Sequence, residues 1–274
     1  MSSFCLLFWN TQGDLAPDVL ARLVKSKKVD FICLAESKLN SDEMIKVLKF
    51  NNTAKFLSPD TITPKIQIFH RDNLKTFVRY GDLSSRLSMV SVIFDQIEFL
   101  IASVHLVGKN NFERSDQLAQ AIDVAGTIRE RELDYKNDRT ILCGDFNMNP
   151  FEDGVVAANG FHAISDRNTV SKRKGTRTVQ EKEYPFFYNP MWNLFGDETS
   201  GPPGTFYYRK TAQISHDWHM FDQVMLRKNC LPFYSHVEII TEFDGIHLKN
   251  NLGRPDRKNY SDHFPILLHL ESIK

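Results

Sequence analysis

The chain contains 274 residues, of which 42% are hydrophobic, 12% aromatic and 25% charged, a composition typical of globular proteins that excludes a disordered or fibrous one. Lysine plus arginine and aspartate plus glutamate both number 34, so overall charge excludes a strongly basic protein that is attracted as a whole to nucleic acid or membranes. A local basic patch is still compatible with this balance.

The cysteines and the N-terminus indicate a reducing, aqueous environment. Cys5, Cys33 and Cys143 lie inside apolar runs, and with Cys230 they form no C-x-x-C spacing, so we expect buried free thiols rather than disulfides or a zinc site. The N-terminus has no basic leader, and no stretch approaches the roughly 18 apolar residues that a membrane span needs. We therefore expect a cytoplasmic protein without stable membrane association.

The first predicted elements form a β-α-β unit. The apolar runs Phe4–Trp9 and Phe31–Ala35 have strand length, and between them Val19, Leu20, Leu23 and Val24 recur at helical spacing. A helix is predicted next over Asp42–Phe50. Alternating stretches at Lys65–Phe69 and Thr76–Tyr80 predict two further strands.

The middle of the chain predicts a hairpin followed by a long helix and a strand. Leu87–Phe94 and Ile97–Leu106 are strand candidates joined by a two-residue connection, which favours antiparallel pairing. Ser115–Glu132 has apolar residues at spacings of three and four and an aspartate in its first turn, which indicates an amphipathic helix. The strand Thr140–Cys143 follows.

The stretch Phe151–Gly204 is irregular and contains a basic cluster. Between Arg167 and Lys182 there are six basic residues and one acidic residue, and four aromatic residues follow within Tyr184–Tyr188. Such a mixture suits a nucleic-acid strand, with cations on the phosphates and rings stacked on bases. The alternative is a solvated loop whose aromatic side chains belong to the core.

The end of the chain returns to strands. These are predicted at Thr205–Arg209, Trp218–Leu226, His236–Thr241 and Phe264–Leu270. We interpret residues 1–274 as one α/β domain with two packed mixed sheets covered by helices, in which the last strand completes the N-terminal sheet.

Polar side chains follow several of these apolar strands. An Asn or Asp after a strand is usually a turn former, and a lone histidine is usually structural, but here the strand ends supply a whole set: Asn10, Glu36, His105, Asp145, Asn147, Asp262 and His263. Strands that lie side by side would bring these residues to one edge. Such hard oxygen donors suit Mg²⁺ or Mn²⁺, the cations that assist phosphate ester hydrolysis.

Six motifs resemble those of the endonuclease/exonuclease/phosphatase superfamily, in order and in residue type. They are LLFWN, LAESK, SVHL, GDFNMNP, FDQV and SDHFPI, and they are distributed between residues 4 and 270. The resemblance implies a four-layer α/β sandwich. It also implies a metal-dependent phosphoesterase, since the superfamily includes repair nucleases, deoxyribonucleases, deadenylases, inositol polyphosphate phosphatases and sphingomyelinases.

The resemblance assigns a role to each motif residue. Glu36, with Asn10 and Asp262, would hold the divalent metal. His263 would be the general base or a phosphate-binding imidazole, oriented by Asp222. Asp145 would position or activate the attacking water, and Asn147 would bind a phosphate oxygen. His105 matches members with a second histidine, where the repair nucleases usually have a tyrosine.

Further candidates come from the residues alone. Arg173, Lys174 and Arg177 of the basic cluster, together with Thr205, are predicted to contact substrate. His70 ends a strand and either contacts phosphate or belongs to a turn. His216, Asp217 and His219 look like a metal cluster, but strand alternation favours surface or structural roles.

Three functions are compatible with this pattern. The first is a metal-dependent nuclease acting on DNA or RNA, which the ESK string and the basic aromatic stretch favour. The second is a phosphatase or phospholipase acting on an inositol phosphate or sphingomyelin-like headgroup, which the second histidine allows. The third is a binding protein that has lost the chemistry, although none of the motif positions is missing. The sequence does not distinguish DNA from RNA, endonucleolytic from exonucleolytic action, or the oligomeric state.

Overall fold

A computed structural model describes residues 2–13, 15–51, 54–59, 65–77, 86–172, 174–211 and 213–273. Its helices are α1 (Pro17–Ser26), α2 (Ser41–Asn51), α3 (Arg114–Asp134), α4 (Asp153–Val156) and α5 (Arg167–Lys172), with 3₁₀ turns at Pro190–Leu194 and Lys228–Cys230. Within this part of the chain, no helix has both the length and the apolar character needed to cross a membrane.

The strands are short and numerous. In chain order they are β1 (Ser3–Asn10), β2 (Phe31–Ala35), β3 (Phe56–Leu57), β4 (Ile66–Arg71), β5 (Lys75–Phe77), β6 (Leu87–Phe94), β7 (Ile97–His105), β8 (Thr140–Asp145), β9 (Ala163–Ile164), β10 (Thr176–Val179), β11 (Lys182–Pro185), β12 (Phe187–Tyr188), β13 (Phe206–Tyr207), β14 (Trp218–His219), β15 (Asp222–Arg227), β16 (Tyr234–Ile239), β17 (Glu242–Phe243), β18 (Ile246–His247) and β19 (Ile266–Glu271).

Two large mixed sheets form from these strands. Sheet A has the order β16-β19-β1-β2-β4-β3, and sheet B has the order β5-β6-β7-β8-β15-β12-β9. In sheet A, β1 pairs in parallel with β2 and antiparallel with β19, so the last strand completes the sheet that the first strand begins, as predicted. In sheet B, β7 pairs in parallel with β8, which in turn pairs antiparallel with β15.

Strand alternation divides the core into layers. Phe4, Leu6 and Phe8 of β1 point into the core between the sheets, where they meet residues of sheet B such as Ile101 and Val224. The intervening side chains of β1 pack against α1 and α2, and the outer face of sheet B packs against α3. The predicted four-layer α/β sandwich is confirmed, and the four cysteines are buried and free, as expected.

Helix α3 covers the outer face of sheet B for reasons that are visible in its sequence. Its first turn is closed by a capping box, in which the backbone of Glu113 donates to the Asp116 side chain at 2.9 Å. Ala121, Val124, Ala125 and Ile128 recur at spacings of three and four and are buried against the sheet.

The structure corrects two of the predicted elements. The strand predicted over Trp218–Leu226 is broken at Met220 and Phe221, because β14 pairs with β13 whereas β15 pairs with β8 and β12. The stretch predicted to be irregular contains α4, α5 and the hairpin β10–β11. The end of the strand predicted over Thr76–Tyr80 lies outside the described residues.

Candidate active site

Strand register brings the motif residues of sheet B side by side. His105 ends β7 and is paired with Asp145 at the end of β8, which is paired with Asp222 at the start of β15. Gly144 makes this register possible, because a Cβ at this position would lie 2.1 Å from the Val104 carbonyl oxygen.

Sheet A supplies the facing half of the site. Asn10 ends β1, and Glu36 follows β2, so the parallel strands bring both residues to the same end of the sheet. Glu36 has a φ of 52°, an unfavourable left-handed conformation that costs a non-glycine residue about 1–2 kcal/mol. Strain of this kind often marks a functional position.

Asn10 connects the carboxylates of the two sheets. Its Nδ2 donates to Glu36 Oε1 at 3.2 Å and to Asp145 Oδ2 at 3.0 Å, while its Oδ1 accepts from the Gln12 backbone at 3.1 Å. His105 lies between the same carboxylates, with Nε2 3.2 Å from Glu36 Oε1 and 3.9 Å from Asp145 Oδ2. Four motif residues therefore form one cluster across the sheets.

A buried histidine–aspartate pair lies beside this cluster. His263 Nδ1 is 2.7 Å from Asp222 Oδ2, and the two residues are 7% and 0% exposed. Ser261 fixes the backbone before the pair, since its Oγ donates to Asn10 O at 2.7 Å and accepts from His263 N at 3.1 Å. Trp9 Nε1 also donates to His263 O at 3.0 Å.

The charges of these residues are strongly coupled. Burial disfavours a charged His263, but the adjacent Asp222 carboxylate outweighs burial and raises the pKa of the imidazole to about 10. Burial also raises the pKa of Asp222, although the charge of His263 acts in the opposite direction. The two groups therefore titrate as a pair that shares one proton between Nδ1 and the carboxylate. The hydrogen bond from His105 lowers the pKa of Glu36 to about 2, which keeps Glu36 ionised.

The donor set fits a hard divalent cation. Ligand atoms of Glu36, His105 and Asp145 lie within 4.8 Å of one another, and so do those of Asp145, Asp222 and His263. Asp222 Oδ1 is buried and has no hydrogen-bond partner among the described residues. Carboxylate oxygens dominate both groups, and this chemistry suits Mg²⁺ or Mn²⁺ better than a soft metal.

Comparison with protein families identifies the chain. The sequence model of the Endonuclease/Exonuclease/phosphatase family matches residues 7–263, a range that includes every motif residue of the site from Asn10 to His263. The chain belongs to this family. Its members are hydrolytic phosphoesterases that depend on divalent metals. A search of curated proteins found no significant match.

Solved structures of the family share the fold. D. rerio TDP2 in complex with a single-strand DNA product is 18% identical, with a TM-score of 0.57 and coverage of 99% of this chain and 100% of that one. The endonuclease domain of TRAS1, a telomere-specific non-LTR retrotransposon, is 15% identical, with a TM-score of 0.56 and coverage of 99% and 100%. The human Nocturnin catalytic domain with bound sulfate is 16% identical, with a TM-score of 0.56 and coverage of 98% and 94%.

Asp262 and Asn147 are the family motif residues at the margin of the site. Asp262 Oδ1 lies 3.9 Å from His263 Nε2, and burial raises the pKa of Asp262. Asn147 is not in an extended conformation, because its φ is 51°. Instead the Asn147 backbone donates to Asp145 Oδ1 at 2.8 Å, and its Nδ2 donates to Leu106 O at 3.0 Å.

Thr205 lies beside Asp222 and is fully buried. It has 0% exposure, and its Oγ1 accepts from the Asp222 backbone at 3.2 Å. The predicted contact of Thr205 with substrate stays a prediction. Its observed contact supports the start of β15.

The basic cluster lies at the other end of sheet B. Lys174 and Arg227, at the end of β15, line the same cavity. Arg177 lies on β10, which pairs with β11. Pro185, at the end of β11, accepts a hydrogen bond from Arg227 Nη1 at 2.9 Å. Five residue steps along β15 separate this end from Asp222 by about 17 Å. Lys174 and Arg177 therefore lie away from the cluster, and their predicted contact with substrate stays a prediction. Arg173 lies outside the described residues.

Other candidates from the sequence also lie away from the site. Phe186, Phe187 and Tyr188 are buried, as the alternative interpretation of the basic stretch proposed. His70 is paired with Phe31 at the start of β2, whereas Glu36 follows the end of that strand. His70 is therefore far from the site.

Sequence reasoning missed the residues that support the site. Trp9 directly precedes Asn10, and Ser261 directly precedes Asp262 and His263. This adjacency to motif residues could have indicated that both residues support the site. Phe206 was missed although its ring lies 4.7 Å from the ring of His263, because the two residues meet only in the fold.

Proposed function

We propose that the protein is a divalent-metal-dependent nuclease that hydrolyses a phosphodiester bond of DNA or RNA by attack of water on phosphorus. The observation that carries the proposal is the cluster itself. Asn10 joins Glu36 and Asp145 across the two sheets, beside a histidine–aspartate pair at 2.7 Å. This arrangement supplies anionic oxygen donors, a water-activating carboxylate and an imidazole within one site.

In this proposal His263 interacts with the phosphate. Its Nδ1 is held by Asp222, which leaves Nε2 directed away from that pair, 3.9 Å from Asp262 Oδ1. An imidazole that lies against a buried carboxylate is stabilised in its charged form. We assign His263 to binding the phosphate oxygens through Nε2 and stabilising their charge as water attacks. Asp222 then acts as the positioning residue.

The same logic assigns the water to Asp145. Its oxygens are oriented by the Asn147 backbone at 2.8 Å and by Asn10 Nδ2 at 3.0 Å. Since His263 is the charged partner of Asp222, Asp145 is the carboxylate left to accept a proton from the attacking water. His105, beside both Glu36 and Asp145, is proposed to contact a phosphate oxygen.

The cation would be held by Glu36, with Asp262 beside it. When bound, it supplies positive charge that neutralises the non-bridging oxygens of the phosphate. Asn10 turns its NH₂ group, not its oxygen, toward the carboxylates, because its Oδ1 accepts from Gln12. We therefore assign Asn10 to orienting Glu36 and Asp145 rather than to a direct bond with the metal.

Nucleic acid is the proposed substrate class, and a headgroup phosphoester is the alternative. The solved relatives include a TDP2 bound to a single-strand DNA product and the endonuclease domain of TRAS1. They support a nuclease, whereas the second histidine is compatible with both substrate classes.

An activity panel tests the proposal. Single-stranded DNA, duplex DNA, RNA, an inositol polyphosphate and sphingomyelin are each incubated with Mg²⁺, with Mn²⁺ and with EDTA, using the wild type and the variants Asp145→Asn and His263→Ala. We expect metal-dependent cleavage of a nucleic acid that falls at least a hundredfold in both variants. If phosphate or phosphocholine is released while every nucleic acid stays intact, the nuclease proposal is wrong and the headgroup phosphoesterase is favoured.

A further inference from the structure

A cavity of about 370 Å³ opens next to the proposed active site. It lies between the segment that follows β7 and the loop before β14, and its lining includes Lys109, Phe112, Phe151, Lys210 and His219. Its volume is in the range of cavities that bind small organic groups. None of these residues has a part in the chemistry proposed above.

Two contacts join this cavity to the site. On one side, Gln117 lines the cavity and donates from Nε2 to the Asn147 carbonyl at 3.0 Å. On the other side, the Phe206 ring lies 4.7 Å from the His263 ring and 6.2 Å from the His219 ring. Only one phenyl ring therefore separates the catalytic imidazole from the imidazole that lines the cavity.

His219 presents a hydrogen-bond donor to this cavity. The Asn149 side chain has a fixed orientation, because its Oδ1 accepts from Met220 N at 2.9 Å, and its Nδ2 lies 3.1 Å from His219 Nδ1. His219 Nδ1 is thus the acceptor, and the hydrogen of the neutral ring is on Nε2. Burial, together with the charge of Lys109, lowers the pKa of His219 to about 4, which keeps the ring neutral.

The aromatic walls of the cavity face solvent. Phe112 is 42% exposed and Phe151 is 37% exposed. Phe151 packs against three rings, with centroid distances of 6.4 Å to Trp192, 6.0 Å to Phe195 and 5.5 Å to His216, which also lines the cavity. Phe151 therefore offers a fixed ring face to a bound group.

The charges of the cavity disfavour a headgroup. Lys109 is ion-paired with Glu152, and Arg114 is paired with Asp153 at 3.0 Å, so two of the cations are already neutralised. A polyphosphate would need several unpaired cations, and a quaternary ammonium group would be repelled by Lys210. A flat heterocycle with a hydrogen-bond acceptor matches both the exposed rings and the His219 donor.

We propose that this cavity binds one nucleobase of the substrate, from a nucleotide next to the reacting phosphate, by stacking on Phe151 and by accepting a hydrogen bond from His219 Nε2. The proposal rests on the proposed nuclease function. A base that is enclosed in a cavity is not paired with another base. The protein therefore acts on single strands or frayed ends in preference to intact duplex.

The test combines a change in the protein with a change in the substrate. The substrate is a short single strand of the nucleic acid that the wild type cleaves, with one cleavable phosphodiester, and two further versions lack the base on one side or the other of that bond. Phe151→Leu removes the ring but keeps an apolar side chain. Phe50→Leu is the matched control, since Phe50 lies on α2 and is 90% exposed.

We expect Phe151→Leu to raise KM for the intact strand by roughly 5- to 100-fold, the usual loss when one stacked base is released. With the wild type, one of the two abasic substrates should show the same rise in KM. With Phe151→Leu, KM for that abasic substrate should rise no further. Phe50→Leu should match the wild type on all three. His219→Phe should also raise KM, and His219→Gln, which keeps a donor, should restore part of the loss.

Two results would overturn the base-binding proposal. One is a Phe151→Leu enzyme that is indistinguishable from Phe50→Leu on every substrate. The other is an equal loss on the intact strand and on both abasic strands, which indicates general damage. Failure of the nuclease function looks different, because the wild type would then leave every strand intact.

Discussion

The two ends of β15 carry buried charged residues with different surroundings, Asp222 at one end and Arg227 at the other. At one end, Asp222 faces His263 at 2.7 Å, and its Oδ1 has no partner among the described residues. At the other end, Arg227 is 3% exposed and donates to both oxygens of Glu132, at 2.8 Å and 3.1 Å, and to the carbonyl of Pro185. Its guanidinium also lies 3.7 Å from the centre of the Phe187 ring.

The difference separates a structural ion pair from a reactive one. A guanidinium in bidentate contact with a carboxylate and stacked on a ring has its interactions satisfied within the protein. The Asp222 end instead borders the exposed Glu36 carboxylate and a buried oxygen without a partner. Native proteins rarely leave such oxygens unpaired unless a function requires them.

Asp222→Asn should have the largest effect of the variants that test this contrast. The amide cannot stabilise a charged His263, and its NH₂ donates to Nδ1, so the imidazole keeps the hydrogen on Nε2 but loses the positive charge that faces the phosphate. We expect kcat to fall by roughly 10³- to 10⁴-fold, as for a buried carboxylate that orients a catalytic histidine. Steady-state kinetics measures the loss. Thermal unfolding should show a Tm near that of the wild type. A normal kcat would show that the Asp222–His263 pair has no part in the chemistry.

Arg227→Met should give the opposite pattern. Removal of the guanidinium leaves Glu132 buried and unpaired, so we expect the free energy of unfolding to fall by about 3–5 kcal/mol. Chemical denaturation measures this fall, and kcat at low temperature should match the wild type. The double variant with Glu132→Leu should recover most of the stability, because it removes the stranded carboxylate. A loss of kcat in a folded Arg227→Met enzyme would show that this end contributes to the chemistry.

Much of the fold follows from local sequence, whereas the site depends on register between distant strands. The boundaries of β2 and β6 are those predicted, because uninterrupted apolar runs between turn residues define buried strands. The break before β15 was missed, since the apolar pattern of Trp218–Leu226 continues across it while the pairing partners change. The single-domain interpretation of residues 1–274 stays a prediction.

The motif residues were predicted as a set, but their surroundings were not. Asn10 and Glu36 could be placed at one edge because β1 and β2 are parallel and consecutive. No local pattern states that the basic cluster around Lys174 packs beside Arg227, or that His219 bonds to Asn149. Such contacts are set by the packing of the loops after the sheets have formed.

Asn10→Ala should have a smaller effect than Asp222→Asn and should sharpen the account of the reactive end. The variant removes the two hydrogen bonds that orient Glu36 and Asp145. Loss of such an orienting contact typically weakens metal binding 10- to 100-fold. The Mg²⁺ or Mn²⁺ concentration that gives half-maximal activity should rise by this factor, with most of kcat recovered at saturating metal. An unchanged metal requirement would contradict the assigned role.

His269→Gln should have the smallest effect, because it tests a polar cluster away from both ends of β15. Burial lowers the pKa of His269, but its contacts with Cys5 and Glu238, at 3.3 Å and 3.2 Å, raise it to about 9. A raised folded pKa adds stability that is complete below the unfolded value of about 6.5 and is lost as pH rises through 9.

The measurement is the free energy of unfolding at several pH values between 6 and 10. Wild-type stability should decline across this range by more than that of His269→Gln, and the two enzymes should have the same kcat. Parallel pH profiles would show that His269 contributes nothing to the charge of the folded state.

The most direct test of the central claim is the location of a bound cation by anomalous scattering from crystals grown with Mn²⁺, at a concentration that supports catalysis. The account predicts an anomalous peak within bonding distance of the Glu36 carboxylate and beside Asp145. A peak at another site, with none near Glu36 while the enzyme is active, would contradict it.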